Sequence, residues 1–366
     1  MIDMVYLDYA ATHPVVRYPQ KFYRNVLGNG YFLNPNANYA YKEKRLLSEA
    51  ENRVKKAIGA KSGKVIFGGT SSQLIENLMN AIGYERLGYE VVCSHYEHDS
   101  FYRHKDRDIF NLSDLKFELD TADDNVKSIV MWQAVQNITG EIFPAKQIGE
   151  LVHKYNGFYI CDGTAQIGHV PIEPNIDDWC DFWCCSGHKI GTELGIGCCW
   201  VSDRLDKWLN GFKLHGTPNL AGALAMTQAV EDACDSCSLG EKTIHYNELQ
   251  DYLIGYLVGA NIDFQLVPEY DEQPSGHEFT SAINAIRLPG INARALQSYL
   301  ASKEIYIGLG QSSCADEADR RVLCQGYGLS EQEADEVIRL SFGEDSSNKD
   351  IEALVNAIVD FRKEYL

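Results

Sequence analysis

Hydrophobic positions in the middle of the chain alternate between a helical spacing and a strand-like spacing. Over residues 45–60 the apolar side chains recur every three or four positions, which predicts an amphipathic helix, and residues 74–82 repeat this spacing. Short runs rich in β-branched and aromatic residues lie between such helices and predict strands. These runs are residues 65–67, 91–93, 128–132, 158–161, 181–185 and 197–201. Strands and helices that alternate in this way predict βαβ units and an α/β fold with a mostly parallel central sheet.

The pattern changes near residues 235–245. A helix-like segment, a loop rich in Pro, Glu and Asp, two strand-like runs and a last amphipathic helix follow, at residues 244–258, 267–276, 282–288, 305–307 and 350–365. This order predicts a smaller α+β domain. We therefore expect a large domain over residues 21–240 and a small C-terminal domain over residues 241–366, with the N-terminal segment 1–20 packed on the small domain.

Composition limits the partners of the chain. Lys and Arg total 33 and Asp and Glu total 52, which gives a formal net charge of −19. A protein that binds a phosphate backbone or an anionic membrane needs the opposite charge, so we expect neither partner. Because there is no basic N-terminal region before an apolar run and no apolar run of membrane-spanning length, we expect a soluble, cytoplasmic protein. The 11 cysteines lie mostly in strand-like runs and are expected to be reduced.

Residues of distinct chemistry follow five predicted strands. The ligand of an open α/β sheet binds at the carboxyl ends of the strands, so these residues mark a candidate site. They are the hydroxyl cluster Thr70, Ser71 and Ser72, then His98, Asn137, Asp162, and Lys189 within Ser186-Gly187-His188-Lys189. Each alone has a common structural explanation, such as a strand-to-helix turn or a helix N-cap. Their order favours one ligand that carries a phosphate, a ring and an aldehyde.

Pyridoxal 5′-phosphate (PLP) is such a ligand. A hydroxyl-rich helix N-terminus suits its phosphate, and Ser71 and Ser72 stand at that place. A buried carboxylate keeps the ring nitrogen protonated, and a lysine amine forms the Schiff base. Asp162 and Lys189 have the required chemistry.

Eight motifs in order from residue 6 to residue 343 resemble one family. They are Tyr-Leu-Asp-Tyr-Ala-Ala-Thr-His-Pro-Val (6–15), Phe-Leu-Asn-Pro (32–35), Glu-His (97–98), Asn-Ile-Thr-Gly (137–140), Asp-Gly-Thr (162–164), Ser-Gly-His-Lys (186–189), Gly-Thr-Pro-Asn (216–219) and Val-Ile-Arg-Leu-Ser-Phe-Gly (337–343). Together they are similar to the cysteine desulfurases of the class-V aminotransferase superfamily. The resemblance implies a PLP-dependent transferase of fold type I.

The resemblance also implies a role for each matching residue at the cofactor. Lys189 would bind PLP covalently and then move protons on the substrate. His98 would stack on the pyridine ring and Asp162 would pair with its nitrogen, whereas Ser186 and His188 would bind the phosphate.

Three further matches concern the substrate and a second subunit. Asn137 would lie near the phenolic oxygen of the cofactor and the substrate carboxylate, and Arg339 would bind that carboxylate. From the residues alone, an Arg between Ile338 and Leu340 in a strand predicts a side chain facing the surface. Thr217 would reach the cofactor phosphate of the neighbouring subunit, which implies a homodimer.

Cys314 decides which reaction is expected. Its small-residue segment resembles the loop whose thiolate takes the sulfur of PLP-bound cysteine, so the chain would convert L-cysteine to L-alanine and carry the sulfur as a persulfide. A sulfur-acceptor protein would then be a partner. The alternatives are another class-V PLP enzyme (a C–S or selenocysteine lyase, or an aminotransferase) in which Cys314 is not the acceptor, and a sulfur-relay scaffold without activity. No metal site is expected.

The sequence departs from the family pattern at one cofactor contact. Relatives have Gln three residues after the aspartate, where this chain has Ala165. Either Gln166 replaces that contact with the phenolic oxygen, or the contact is missing.

Overall fold

The computed structural model describes residues 4–14, 33–122, 127–212, 216–268, 278–311 and 320–365. The chain divides into two compact units. The large unit comprises Pro14–Val135 and Phe143–Leu239, and the small unit comprises Met1–His13, Gln136–Ile142 and Gly240–Leu366. Cys314, the N-terminal segment beyond Pro14 and most of the acidic loop lie outside the described residues.

The strands are, in chain order, β1 (Val5–Leu7), β2 (Lys64–Gly68), β3 (Glu90–Ser94), β4 (Arg107–Ile109), β5 (Ser128–Met131), β6 (Glu141–Ile142), β7 (Phe158–Asp162), β8 (Phe182–Ser186), β9 (Gly197–Val201), β10 (Gln265–Val267), β11 (Glu278–Phe279), β12 (Ile283–Arg287), β13 (Ile305–Leu309) and β14 (Val337–Ser341). The α-helices are α1 (Tyr41–Ala57), α2 (Ser71–Ile82), α3 (Tyr84–Leu87), α4 (Asp99–Tyr102), α5 (Leu112–Thr121), α6 (Ala145–Lys154), α7 (Asp206–Leu209), α8 (Leu220–Cys234), α9 (Ser236–Gly259), α10 (Ala293–Ala301), α11 (Glu331–Ala334) and α12 (Asn348–Tyr365). Short 3₁₀ turns lie at Ile176–Asp178, Gly187–Lys189 and Asp203–Leu205, and a π-helical turn lies at Val322–Gly326.

A mostly parallel sheet forms the centre of the large unit. Within the described residues it has seven strands in the order β2-β9-β8-β7-β5-β3-β4, and β9 runs antiparallel to both of its neighbours. The other neighbouring pairs are parallel. This arrangement confirms the predicted α/β fold class.

Both faces of this sheet are covered by apolar side chains. Phe182 and Cys184 of β8 pack into the cluster that contains Leu74 and Ile75 of α2. Trp183 and Cys185 face the opposite cluster, which contains Ile148 of α6. Successive residues of a strand point to opposite faces, so a strand covered on both faces reads as a continuous apolar run. The same burial confirms that Cys184, Cys185, Cys198 and Cys199 are packing residues.

A second sheet forms the centre of the small unit. Its order is β1-β13-β14-β12-β10 within the described part of the chain. The N-terminal strand β1 pairs in parallel with β13, with Val5 opposite Ile305. All residues of the central strand β14 are buried. In the parts of the chain that the structure describes, no helix has the length and apolar character needed to cross a bilayer.

Candidate functional site

The end of β8 and the start of α2 bring two serine hydroxyls together in the large unit. Thr70 caps α2 by accepting a hydrogen bond from the Gln73 amide at 3.1 Å. The Ser186 hydroxyl accepts a hydrogen bond from the Ser71 amide at 3.1 Å, and the two hydroxyl oxygens lie 2.8 Å apart. Both serines are buried, whereas Ser72 is exposed. Hydroxyl donors at a helix N-terminus suit a bound anion.

Three titratable groups of the large unit influence one another. Burial lowers the pKa of His98, the positive charge of Lys189 lowers it further, and the negative charge of Asp162 opposes the shift. The Nδ1 atom of His98 accepts a hydrogen bond from the Ser100 amide at 3.2 Å. His98 is therefore a neutral imidazole near pH 7, with its proton on Nε2.

Asp162 ends strand β7 and keeps one carboxylate oxygen available. The Thr164 amide donates to Oδ1 at 2.9 Å, and the Cys184 thiol points to the same oxygen at 3.9 Å. The next residue must be glycine, because a Cβ atom on Gly163 would overlap the Trp183 indole. The side chain of Asp162 is thus oriented through Oδ1, and Oδ2 remains for a ligand.

Lys189 lies in the 3₁₀ turn that directly follows β8. A Cβ atom on Gly187 would overlap the Thr192 hydroxyl, so glycine allows this tight turn. The neighbouring side chain, His188, is partly buried. Burial and the charge of Lys189 lower the pKa of His188 to about 4.

Two other predicted cofactor residues have different surroundings. The Gln166 amide is held within the protein, since Oε1 accepts from the Trp183 indole at 3.3 Å and Nε2 donates to the Pro171 carbonyl at 3.1 Å. These two bonds orient the Gln166 amide within the large unit. Thr217 is exposed, and its hydroxyl accepts a hydrogen bond from Asn34 at 3.3 Å.

Arg339 is buried in the small unit, and the surface-facing position expected from its flanking residues alone is wrong. Its side chain is 0% exposed because β14 is a central strand. Nη2 donates to Asp8 Oδ1 at 2.8 Å and Nη1 donates to the Asn137 carbonyl at 3.1 Å. The sequence reasoning did not identify Asp8 as a partner, although Asp8 lies within the first motif.

The turn that carries Asn137 is stabilised by contacts within the small unit. The Gln136 side chain accepts hydrogen bonds from the amides of Ile138 and Thr139. Gly140 has a φ of 77°, and a Cβ atom there would lie 2.6 Å from the Ile283 carbonyl. Glycine at this place therefore allows the turn to pack against β12.

The buried cysteines of the large unit are not suited to nucleophilic chemistry. Burial raises the pKa of Cys184, Cys185 and Cys199 well above the ordinary range, and it raises the pKa of Cys234 to about 12. Reactive cysteines need a thiolate and solvent access. Cys314, the predicted sulfur acceptor, lies outside the described residues.

The residues of the large unit fit PLP. The Ser71 and Ser186 hydroxyls at a helix N-terminus match a phosphate, and Asp162 Oδ2 matches a protonated ring nitrogen. Lys189 and Asp162 both lie close enough to His98 for their charges to act on its imidazole. This donor set is the one that a pyridine aldehyde phosphate requires.

Comparison with known proteins gives similar sequences and structures along the chain. The chain is 22% identical over 390 residues to the putative cysteine desulfurase IscS 1 of Bacillus subtilis, which covers 99% of both proteins. It is 27% identical over 280 residues to the cysteine desulfurase IscS of Dictyoglomus turgidum, which covers 68% of both.

Two solved structures share the fold. The NifS-like protein of Rickettsia africae superposes with a TM-score of 0.81 at 21% identity, over 98% of this chain and 99% of that one. The cysteine desulfurase CsdA of Escherichia coli superposes with a TM-score of 0.72 at 19% identity, over 99% of this chain and 95% of that one. The family model described as aminotransferase class-V matches residues 5–354. This chain therefore belongs to the class-V aminotransferase family.

Proposed function

We propose that this protein is a PLP-dependent cysteine desulfurase that converts L-cysteine to L-alanine and passes the sulfur to Cys314. The observation that carries the proposal is the joint placement of Lys189, Asp162 and His98 in a chain of this family. The names of its relatives support the choice of substrate.

The large unit binds the cofactor and moves protons. With PLP bound, Ser71, Ser72, Ser186 and His188 would hold its phosphate, and Asp162 Oδ2 would accept a hydrogen bond from its protonated ring nitrogen. When bound, PLP withdraws electron density from the substrate α-carbon. The Nζ atom of Lys189 takes the α-proton and later returns a proton, because a free amine is a general base of suitable strength in such a site.

His98 is suited to act as a neutral hydrogen-bond donor. Its Nδ1 is held by the Ser100 amide, so only Nε2–H is directed away from the protein turn. A neutral imidazole can stack on an aromatic ring without the desolvation cost of a charge. We assign it the ring-stacking position.

The small unit binds the substrate carboxylate and supplies the sulfur acceptor. Arg339 and Asn137 recognise the carboxylate. The Cys314 thiolate attacks the substrate sulfur, and a sulfur–sulfur bond forms as the carbon–sulfur bond breaks. The electron pair of the broken bond goes to the substrate carbon, which takes up a proton and leaves as part of L-alanine. Cys314 is then a persulfide, from which an acceptor protein removes the sulfur.

We further propose a cytoplasmic homodimer. Thr217 is exposed and is hydrogen-bonded only weakly to Asn34, which supports a role for its hydroxyl at the cofactor phosphate of a second subunit. The described cysteines form no disulfide, as is usual in reducing compartments.

Alanine formation by single-cysteine variants tests the proposal. Cys314→Ala should lose at least about 10²-fold of the rate of alanine release from L-cysteine. Cys237→Ala is the matched control, because Cys237 is an exposed free cysteine that the proposal does not use, and it should keep the native rate. A Cys314→Ala protein that releases alanine at the native rate would contradict the assignment.

The departure at Ala165 favours one second candidate, a C–S or selenocysteine lyase. In such an enzyme Cys314 is not the acceptor, so Cys314→Ala would keep full activity toward L-selenocysteine or L-cysteine. The same assay with both amino acids separates the two functions.

A further inference from the structure

The Arg339 guanidinium donates to the Asp8 carboxylate through Nη2, whereas its Nε–H has no acceptor within the described residues. Of its five N–H groups, one donates to Asp8 and one to the Asn137 carbonyl. Its Nε atom is buried and has no hydrogen-bond partner within the described residues. A buried guanidinium N–H without an acceptor is costly unless a ligand supplies one.

Asp8 is firmly placed by its own backbone. It forms a parallel bridge with Ser341 beside β14, and its carbonyl accepts hydrogen bonds from the Ala11 amide at 3.0 Å and the Tyr6 hydroxyl at 3.1 Å. The Ser341 hydroxyl also accepts from the Ala10 amide at 2.8 Å. Asp8 and Arg339, which are 331 positions apart in the sequence, are thus held next to each other.

Gly308 leaves room for the Asp8–Arg339 ion pair. It lies opposite Arg339 in the register of β13 and β14. A Cβ atom on Gly308 would lie 2.6 Å from Asp8 Oδ1 and 2.8 Å from Arg339 Nε. Any side chain at residue 308 would therefore press on the carboxylate and fill the space beside Nε.

We propose that Asp8 is a positioning residue for recognition of the substrate carboxylate, acting through Arg339, and that Gly308 keeps the space beside Nε open. This inference rests on the proposed role of Arg339. The bond from Nη2 to Asp8 selects one orientation of a long, flexible side chain, so less entropy is lost when a carboxylate binds. It also compensates the buried charge before substrate arrives.

Binding of two small ligands to the PLP-loaded protein tests the proposal. L-Alanine carries the carboxylate and ethylamine is the same molecule without it, and both are titrated by the change in the visible spectrum. Asp8→Ala should weaken L-alanine binding and raise the KM for L-cysteine about tenfold, with ethylamine binding and kcat changed less than about twofold. Asp8→Asn keeps an oxygen acceptor and should recover part of the loss. Asp360→Asn, an exposed aspartate of α12, is the control and should behave as the native protein.

The outcomes separate a positioning role from a structural one. Equal weakening of L-alanine and ethylamine, or no change in either, would overturn the proposal. If Asp8→Ala does not fold, Gly308→Ala replaces it, since it keeps both charges and should show the same selective loss of L-alanine binding. Native protein that binds L-alanine but does not convert L-cysteine would contradict the proposed function alone, and the ligand comparison would still decide the role of Asp8.

Discussion

The hydroxyl oxygens of Ser71 and Ser186 lie 2.8 Å apart and join the N-terminus of α2 to the carboxyl end of β8. The Ser71 amide also donates to the Ser186 hydroxyl, so the Ser186 side chain orients both the amide and the hydroxyl of Ser71. This contact places a helix N-terminus next to the turn that carries Lys189.

Ser186→Ala should weaken PLP binding about tenfold, because it removes a hydroxyl donor and leaves the Ser71 groups without their partner. Titration of cofactor-free protein with PLP measures the change. Ser298→Ala is the control, since that serine is exposed on α10 and donates only to the Arg294 carbonyl within the same helix. A folded Ser186→Ala protein with native affinity would contradict the phosphate assignment.

Asp162→Asn should bind PLP and lose activity by about 10²–10³-fold. Asparagine keeps the oxygen to which the Thr164 amide donates, so the turn after β7 is preserved. It replaces the second oxygen with a donor, which cannot accept a hydrogen bond from a protonated ring nitrogen. Alanine release from L-cysteine and the thermal midpoint are compared in the same preparation, and full activity in a variant of native stability would refute the role.

The cofactor-free protein should lose stability in mildly acid solution because of His188. Its pKa is about 4 in the folded protein and 6.5 ordinarily, so between these values the unfolded chain binds a proton that the folded chain does not. The stability it contributes is complete above pH 6.5 and is lost as pH falls toward 4. Urea unfolding at pH 7 and pH 5 should show a loss about 1–2 kcal/mol larger for the native protein than for His188→Gln. Equal losses of unfolding free energy in the native protein and in His188→Gln would contradict this role of His188.

Gly163→Ala should destabilise the large unit by about 1–3 kcal/mol, because the added methyl group overlaps the Trp183 indole and neither group has room to move. Gly240→Ala is the matched control. It lies in α9 with open space around its Cα, so the free energy of unfolding should rise by about 0.5–1 kcal/mol. Urea unfolding of the two variants measures both effects, and a neutral Gly163→Ala would contradict the packing described for the β7 turn.

Local periodicity predicted the fold of the large unit well. Its strands are apolar runs covered on both faces, and such runs remain visible whatever the neighbouring elements are. The predicted runs 158–161 and 197–201 correspond to β7 and β9 almost residue for residue. Strand β4 is an edge strand with exposed residues, so it carries no hydrophobic pattern that could have predicted it.

The position of Arg339 could not be predicted from its neighbours. An Arg between two apolar residues fits an alternating strand with one wet face. Its burial depends on Asp8, which compensates the charge from the other end of the chain. The assignment of Gln136–Ile142 to the small unit has a similar origin, because it depends on the approach of Gly140 to the Thr280 and Ile283 carbonyls.

Intact-protein mass spectrometry after incubation with L-cysteine, with alanine measured in the same sample, shows whether Cys314 takes the substrate sulfur. We expect a mass increase of one sulfur atom, localised to Cys314 by peptide mapping, together with one alanine per sulfur retained. The increase should vanish in Lys189→Ala and be removed by a reductant in the native protein. Alanine release with no sulfur on Cys314 would contradict the claim.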